Sequence, residues 1–282
     1  MPTSPRAALT AIAVLAFAVA CGNPEASPAP PPSSPASPPP AASSSAPPAS
    51  TSSSVPSSTA SSTPAVPSGK VVVIDPGHNG GNSSHTAEIN KQVPAGRGQM
   101  KPCNTTGTST NAGYTEHAFT WDVANKVRDE LAAKGVKVIM TRQNDSGVGP
   151  CVDARAAAGN QAKADAVVSI HADGSESAGA HGFHVAYSSP ALNTAQGAPS
   201  TKLTQGLRDA LKAAGFATST YIGKDGLSPR ADLGGLNLSE RPAALVECGN
   251  MRNAAEAAVL SSSDGRQRYA DAITKAILTY LG

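Results

Sequence analysis

Apolar residues beyond position 69 fall into short continuous runs separated by amphipathic stretches. The first run, Val71-Val72-Val73-Ile74, is β-branched without polar alternation, which is typical of a strand buried on both faces. Similar runs follow at residues 136–140, 166–170 and 243–246, and a more alternating one at 182–187. Together they predict a mostly parallel sheet.

Helical periodicity occupies the intervals between these runs. In residues 115–134 an apolar residue recurs at every fourth position, and Gly135 follows where a helix C-cap is expected. That stripe consists of Phe119, Val123, Val127 and Leu131. Further helices are predicted at residues 152–163, 201–214 and 264–281. Strands that alternate with helices predict a single α/β layered domain, residues 69–282, with a mostly parallel twisted sheet flanked by helices.

The first 21 residues have the pattern of an export signal. A weakly positive start precedes an apolar run from Ala7 to Ala20, which is too short to span a membrane. Ala18-Val19-Ala20 fits a signal-peptidase site, and the same residues followed by Cys21 resemble a lipoprotein box. Both processing routes stay open, so Cys21 is a candidate lipidation site, and it is the only membrane attachment that we expect.

Residues 22–68 are almost entirely Pro, Ser, Ala and Thr, with Glu25 as their one charged residue. Of the 24 prolines in the chain, 16 precede residue 70. Such a segment cannot bury enough apolar surface to offset its ordering entropy. We expect a disordered, semi-stiff tether, which suits work at a distance from a membrane or a passive stalk.

Charge excludes one large class of partner. The net charge is +2, only 15% of residues are charged, and the basic residues form no cluster. No nucleic-acid partner is therefore expected.

Four ionisable residues lie near the predicted carboxyl ends of the parallel strands, where functional groups of such sheets are usually found. His78 and His171 follow the first and third buried runs, Glu247 ends the last one, and Glu116 opens the long helix. Because the carboxyl ends of parallel strands share one edge, these side chains can converge there.

Two imidazoles and one carboxylate form a common catalytic zinc set, and a further carboxylate can act as the base. Asp75, beside the first histidine, is a candidate acceptor that would fix its tautomer. Spacing alone does not assign ligands, since other histidines compete. These are His85, His117, His181 and His184.

Several motifs in order resemble the zinc-dependent N-acetylmuramoyl-L-alanine amidases of the type-3 amidase family. They are Val72-Val73-Ile74-Asp75-Pro76-Gly77-His78, Glu116 at a helix start, Gly135-Val136-Lys137-Val138, Ser169-Ile170-His171-Ala172-Asp173 and Pro242-Ala243-Ala244-Leu245-Val246-Glu247. The resemblance covers residues 70–282. Asn79 stands where the family more often has glycine, and Cys248-Gly249-Asn250-Met251 replaces a more hydrophobic turn.

The resemblance implies a peptidoglycan hydrolase that cleaves the amide between the lactyl group of N-acetylmuramic acid and L-alanine. It implies Zn²⁺ held by His78, Glu116 and His171, with Glu247 as general base and then acid. The other interpretation of Glu247 is a salt bridge with Arg241 or Arg252. Rival functions are a zinc carboxypeptidase-like peptide hydrolase and a catalytically silent wall-binding protein. The enzyme is expected to be exported to the periplasm or cell envelope and to be monomeric.

Three cysteines remain beyond the signal region. Cys103 lies in the long loop before the helix of residues 115–134, and Cys151 lies in the turn after the 136–140 run. In an exported protein we favour a disulfide between them. Cys248 follows an apolar run and is expected to be a buried free thiol.

Overall fold

A computed structural model describes residues 69–282. The predicted signal segment, the Cys21 lipidation site and the 22–68 tether lie outside the described residues. Within the described part, no helix is both long and apolar enough to cross a membrane.

The strands of the domain are bounded as follows. They are β1 (Val71–Pro76), β2 (Gln92–Pro94), β3 (Met100–Pro102), β4 (Lys137–Met140), β5 (Ala166–Asp173), β6 (His184–Ser188), β7 (Leu227–Arg230) and β8 (Ala243–Asn250). Six of them form one sheet in the order β4-β1-β5-β8-β6-β7, and β2 pairs with β3 in a separate hairpin.

The mostly parallel sheet predicted from the apolar runs is confirmed. Strands β4, β1, β5 and β8 are parallel neighbours, whereas β6 pairs antiparallel with β8 and parallel with β7. The first residues of β6 therefore lie at the same sheet edge as the last residues of β8. Strands β5 and β8 also run three to four residues beyond their apolar runs, into the polar residues at this edge.

The helices cover both faces of the sheet. They are α1 (Thr86–Ile89), α2 (Glu116–Ala133), α3 (Val152–Gln161), α4 (Ala198–Ala213), α5 (Gly234–Asn237), α6 (Ala254–Ser261) and α7 (Ser263–Leu281). Helices α2, α4 and α7 build the larger core against one face, where Phe119, Leu207 and Ile273 are fully buried. On the other face Leu236 of α5 packs into a smaller cluster with Val167 and Ala243.

The long α2 begins and ends close to its predicted bounds. Gly135 beyond its C-terminus has φ +81°, a conformation that glycine adopts without steric cost. The stripe of Phe119, Val123, Val127 and Leu131 is fully buried. Burial of this stripe against the sheet fixes the first turn of α2, including Glu116, near the carboxyl ends of β1 and β5.

The segment between β1 and α2, expected to be a long loop, contains short elements. A 3₁₀ helix (Gly80–Ser84), α1 and the β2–β3 hairpin lie within it. Arg97 at the hairpin turn donates hydrogen bonds to Asn237 Oδ1 at 3.1 Å and Ser188 Oγ at 3.0 Å. These contacts tie the hairpin to the body of the domain.

A disulfide joins Cys103 to Cys151, the pair favoured from the sequence. The amide of Val152 also donates to the Cys103 carbonyl at 2.8 Å, so the start of α3 is joined to the end of β3 twice. Cys248 is buried and free. The disulfide and the Val152 hydrogen bond together hold the stretch that follows β3 against the sheet edge.

Candidate metal centre and active site

His78, Glu116 and His171 meet at the carboxyl edge of the sheet. Each offers one ligand atom, and the three atoms lie within 4.8 Å of one another. Glu116 Oε1 is 3.0 Å from His78 Nε2 and 3.0 Å from His171 Nδ1. His78 and Glu116 are buried, with 8% and 4% of their surface exposed. These residues come from three different segments, which only the fold brings together.

His78 is held in a conformation that few residues adopt. It follows β1 with φ +59°, in the left-handed region. Its carbonyl accepts a hydrogen bond from Arg155 Nη2 at 2.8 Å, and Arg155 Nη1 donates to the Pro76 carbonyl at 2.6 Å. Strained backbone of this kind persists where the surroundings overdetermine it. Here a buried guanidinium fixes the turn that directs the imidazole to Glu116.

The tautomer of His78 is set by Thr105. The Nδ1 atom lies 3.0 Å from the Thr105 carbonyl, which can only accept, so Nδ1 carries the proton. Nε2 then presents its lone pair to Glu116. The expectation that Asp75 would fix this tautomer is wrong, because its carboxylate is taken by other partners. They are Arg155, Ser169 and Thr141, each at 2.6 Å.

Glu116 is oriented by the backbone at both oxygens. Oε1 accepts from the amide of Ala172 at 3.1 Å, and Oε2 accepts from the amide of Thr108 at 2.9 Å. Burial alone would raise the pKa of Glu116, but the effects of His78 and then His171 are together larger and lower it. Glu116 is therefore anionic at neutral pH.

This donor set fits a cation. An imidazole lone pair facing a carboxylate oxygen at 3.0 Å is repulsive unless a proton or a metal ion lies between them. Burial works against an imidazolium, yet Glu116 raises the pKa of His78, so this position attracts positive charge. Two imidazole nitrogens and one carboxylate match the protein ligands of catalytic zinc sites.

Two glycines leave room for this cluster. A Cβ added at Gly77 would lie 2.2 Å from the His171 ring, and one at Gly107 would lie 2.9 Å from both Glu116 Oε2 and His78 Cδ2. Gly107 also has φ +77°. Backbone thus approaches the ligands more closely than any residue with a side chain would allow.

Glu247 stands beside this centre without an ion pair among the described residues. It is the register partner of His171, and its Oε2 is buried with no hydrogen-bond partner in the described part of the chain. Burial, followed by the charges of Glu116 and Asp173, raises the pKa of Glu247 well above its usual range. Arg241 Nε instead donates to the Ala164 carbonyl, and Arg252 Nη1 donates to Asn111 Oδ1.

Comparison with known proteins identifies the family of this chain. Residues 72–279 match the family model described as N-acetylmuramoyl-L-alanine amidase. A curated N-acetylmuramoyl-L-alanine amidase of Mycobacterium tuberculosis, Rv3717, is 50% identical over 214 residues, which cover 76% of this chain and 87% of that protein. The chain belongs to the N-acetylmuramoyl-L-alanine amidase family.

Solved structures of family members have the same architecture. The amidase Ami1 of Mycobacterium smegmatis is 52% identical with a TM-score of 0.73, and the match covers 76% of this chain and 98% of that one. The apo form of Ami1 from Mycobacterium abscessus is 51% identical with a TM-score of 0.73, covering 76% and 100%. The resemblance of the sequence motifs to the N-acetylmuramoyl-L-alanine amidase family is therefore confirmed.

The competing histidines of the amidase domain lie in different surroundings. His117 Nδ1 is 2.8 Å from Asp145 Oδ2, His85 Nδ1 bonds the Gly81 carbonyl, and His181 Nδ1 bonds the Gly179 carbonyl. His184 is different, because it is 2% exposed and is the register partner of Glu247. Its place beside Glu247 was missed from the sequence, since it begins an antiparallel strand and does not end a parallel one.

A cavity of about 350 Å³ adjoins two of the three candidate ligand residues of this amidase family member. Its lining includes His78 and His171 together with Val167, Leu236 and Leu245. The Lys101 ammonium and the Asp232 carboxylate, 3.6 Å apart, also line it. The candidate metal centre therefore opens onto a largely apolar space between the sheet and the α3 and α5 layer.

Proposed function

We propose that this chain hydrolyses the amide bond between the lactyl group of N-acetylmuramic acid and the L-alanine of a peptidoglycan stem peptide. The observation that carries the proposal is the juxtaposition of a two-histidine, one-glutamate cluster with Glu247, whose Oε2 is buried without a hydrogen-bond partner among residues 69–282. Membership of the amidase family supports the choice of substrate.

The cofactor in this proposal is Zn²⁺, held by His78, Glu116 and His171. Bound there, zinc would supply a Lewis acid that polarises the carbonyl and acidifies water. The chain contributes the orientation of its ligands: Thr105 holds the His78 ring, and the amides of Thr108 and Ala172 hold Glu116.

Glu247 is proposed as the general base. It would take a proton from the attacking water and pass it to the nitrogen of the departing L-alanine. A raised pKa suits this exchange, because the group must hold a proton between the two transfers. No described arginine or lysine neutralises it through a salt bridge, so the carboxylate keeps its basicity.

The proposed substrate also indicates the cellular location in which the enzyme acts. Peptidoglycan lies outside the cytoplasmic membrane, which supports the proposal that the chain is exported to the cell envelope. Lipidation of Cys21 would make residues 22–68 a tether between the membrane and the catalytic domain. Simple signal cleavage would instead release the enzyme from the membrane. We further propose that it acts as a monomer, since the ligands and the base all come from one chain.

Digestion of defined muramyl peptides tests this function. The activity of chelator-treated protein is compared with that of protein reloaded with Zn²⁺, and the products are identified by mass spectrometry. The expected products are a peptide with free N-terminal L-alanine and a muramyl group without peptide, formed only after reloading. Release of a terminal amino acid from a peptide without the muramyl group would support the carboxypeptidase alternative. Wall binding without any product would support the silent protein.

A further inference from the structure

Three buried polar atoms, one on the proposed base and two near it, make no hydrogen bond in the part of the chain that the structure describes. They are Oε2 of Glu247, Nδ1 of His184 and the hydroxyl oxygen of Tyr221, which lies near the Asp173 carboxylate but outside hydrogen-bond geometry. A fourth, Thr274 Oγ1, belongs to α7. A buried polar group without a hydrogen bond destabilises the folded state, and three together call for an explanation. A polar group bound between them would provide one.

The three atoms belong to one cluster. His184 of β6 is paired in register with Glu247 of β8, and register partners in antiparallel strands have adjacent side chains on one face. The Tyr221 ring lies edge-on to the His184 ring, with centroids 6.4 Å apart. The charge of Glu247 also contributes to the raised pKa of Tyr221, after burial and Asp173.

The order of the strands places this cluster on the far side of Glu247 from the candidate metal centre. His171 on β5, Glu247 on β8 and His184 on β6 occupy three successive strands of the sheet. Neighbouring strands are about 4.8 Å apart, and consecutive peptide units are about 3.8 Å apart. If the scissile carbonyl lay at the candidate metal centre and the leaving nitrogen at Glu247, the next peptide unit of the leaving group would extend toward His184 and the Tyr221 ring beside it.

Both side chains are suited to a neutral amide. Burial lowers the pKa of His184 to about 4, with Asp173 opposing the shift and Arg230 adding to it. The ring is thus uncharged at neutral pH, with one nitrogen that donates and one that accepts. Burial likewise raises the pKa of Tyr221, so its hydroxyl stays protonated. An acceptor nitrogen and a donor hydroxyl complement the N–H and C=O of a peptide group.

We propose that His184 and Tyr221 form a subsite for the first peptide group after the scissile bond. His184 Nδ1 accepts from the peptide N–H, and the Tyr221 hydroxyl donates to the carbonyl. The inference rests on the proposed function, because it requires the departing L-alanine to lie beside Glu247.

Two neutral, near-isosteric substrates test the subsite: N-acetylmuramoyl-L-alanine N-methylamide and the corresponding methyl ester. Only the amide offers the N–H. We expect kcat/KM of the wild-type enzyme to be about 10-fold higher for the amide than for the ester, which is the effect expected of one hydrogen bond. His184→Phe should remove this preference by slowing cleavage of the amide alone. Tyr221→Phe should slow both substrates and keep the preference.

Further variants and outcomes separate a subsite from a structural role. His184→Gln, which can accept again, should restore part of the preference, and His181→Phe on the preceding loop should leave it unchanged. Metal content and unfolding midpoint are measured for every variant. An unchanged preference in His184→Phe overturns the subsite, and so does an equal loss on both substrates. A wild-type enzyme that cleaves neither substrate instead contradicts the proposed function and the subsite with it.

Discussion

His171 and Glu247 are direct register partners on the neighbouring parallel strands β5 and β8. The proposed ligand and the proposed base are therefore fixed to one another by the backbone of a central sheet. The ladder shifts register only beyond this pair, between His171 and Asp173, where the polar edge begins. A rigid spacing between base and ligand is what preorganised catalysis requires.

Glu247→Gln separates hydrolysis from metal binding. The amide keeps the size of the carboxylate but cannot accept a proton, so we expect kcat to fall by about 10²–10⁴-fold. Zinc content should stay at one per chain, because Glu247 is not among the three clustered ligand residues. Hydrolysis at near wild-type rate would rule out the assignment of Glu247 as base.

His78→Ala and His171→Ala should each lower bound zinc below one per chain in elemental analysis. Each removes a ligand atom from a set of three, and the remaining carboxylate loses a compensating partner. His85→Ala is the matched control, because its ring is exposed and bonds only local groups of the 3₁₀ segment. Unchanged stoichiometry in the first two variants would refute the ligand set.

The central sheet could be predicted because its strands are buried on both faces and so have continuous apolar runs. The end-of-strand argument then placed His78, His171 and Glu247 at one edge. It could not place His184, since strand direction depends on pairing, which the hydrophobic pattern of β6 does not encode. The three-residue strands of the hairpin contain prolines and are held by Arg97 and the disulfide, so they have no local signal.

Gly107→Ala should weaken zinc binding by roughly 10–100-fold, the range found when supporting groups of a metal site are disturbed. The added methyl would lie 2.9 Å from Glu116 Oε2 and from His78 Cδ2. Gly113→Ala is the control: it has φ +88° but open space around the added Cβ, so it carries the backbone strain alone. Titration with zinc and a competing chelator compares the two, and equal affinities would contradict a steric role for Gly107.

The Asp75–Arg155 pair should make stability depend on acid pH. Burial raises the pKa of Asp75, but Arg155, Ser169 and Thr141 outweigh it and lower the pKa from 3.8 to about 2. A group with a depressed folded pKa stabilises above its unfolded pKa and loses that contribution as the pH falls through the folded value. We expect about 2 kcal/mol, fully present above about pH 4 and lost toward pH 2.

Urea unfolding of wild type and Asp75→Asn from pH 7 to pH 2 measures this contribution. The difference in unfolding free energy should narrow as the pH falls below about 4. Asp209→Asn, at a side chain that is 65% exposed, should show no such trend. A difference that does not vary with pH would mean that Asp75 acts by packing alone.

The disulfide should stabilise both the domain and its metal centre. It closes a loop with a sequence separation of 48, for which restriction of the unfolded chain contributes about 3–4 kcal/mol. Two residues beyond Cys103 lies Thr105, whose carbonyl sets the tautomer of His78. The double variant Cys103→Ala/Cys151→Ala should therefore unfold at lower urea concentration and also bind zinc more weakly at a pH where it is still folded. A loss of stability with unchanged zinc affinity would show that the disulfide supports the fold but does not position His78.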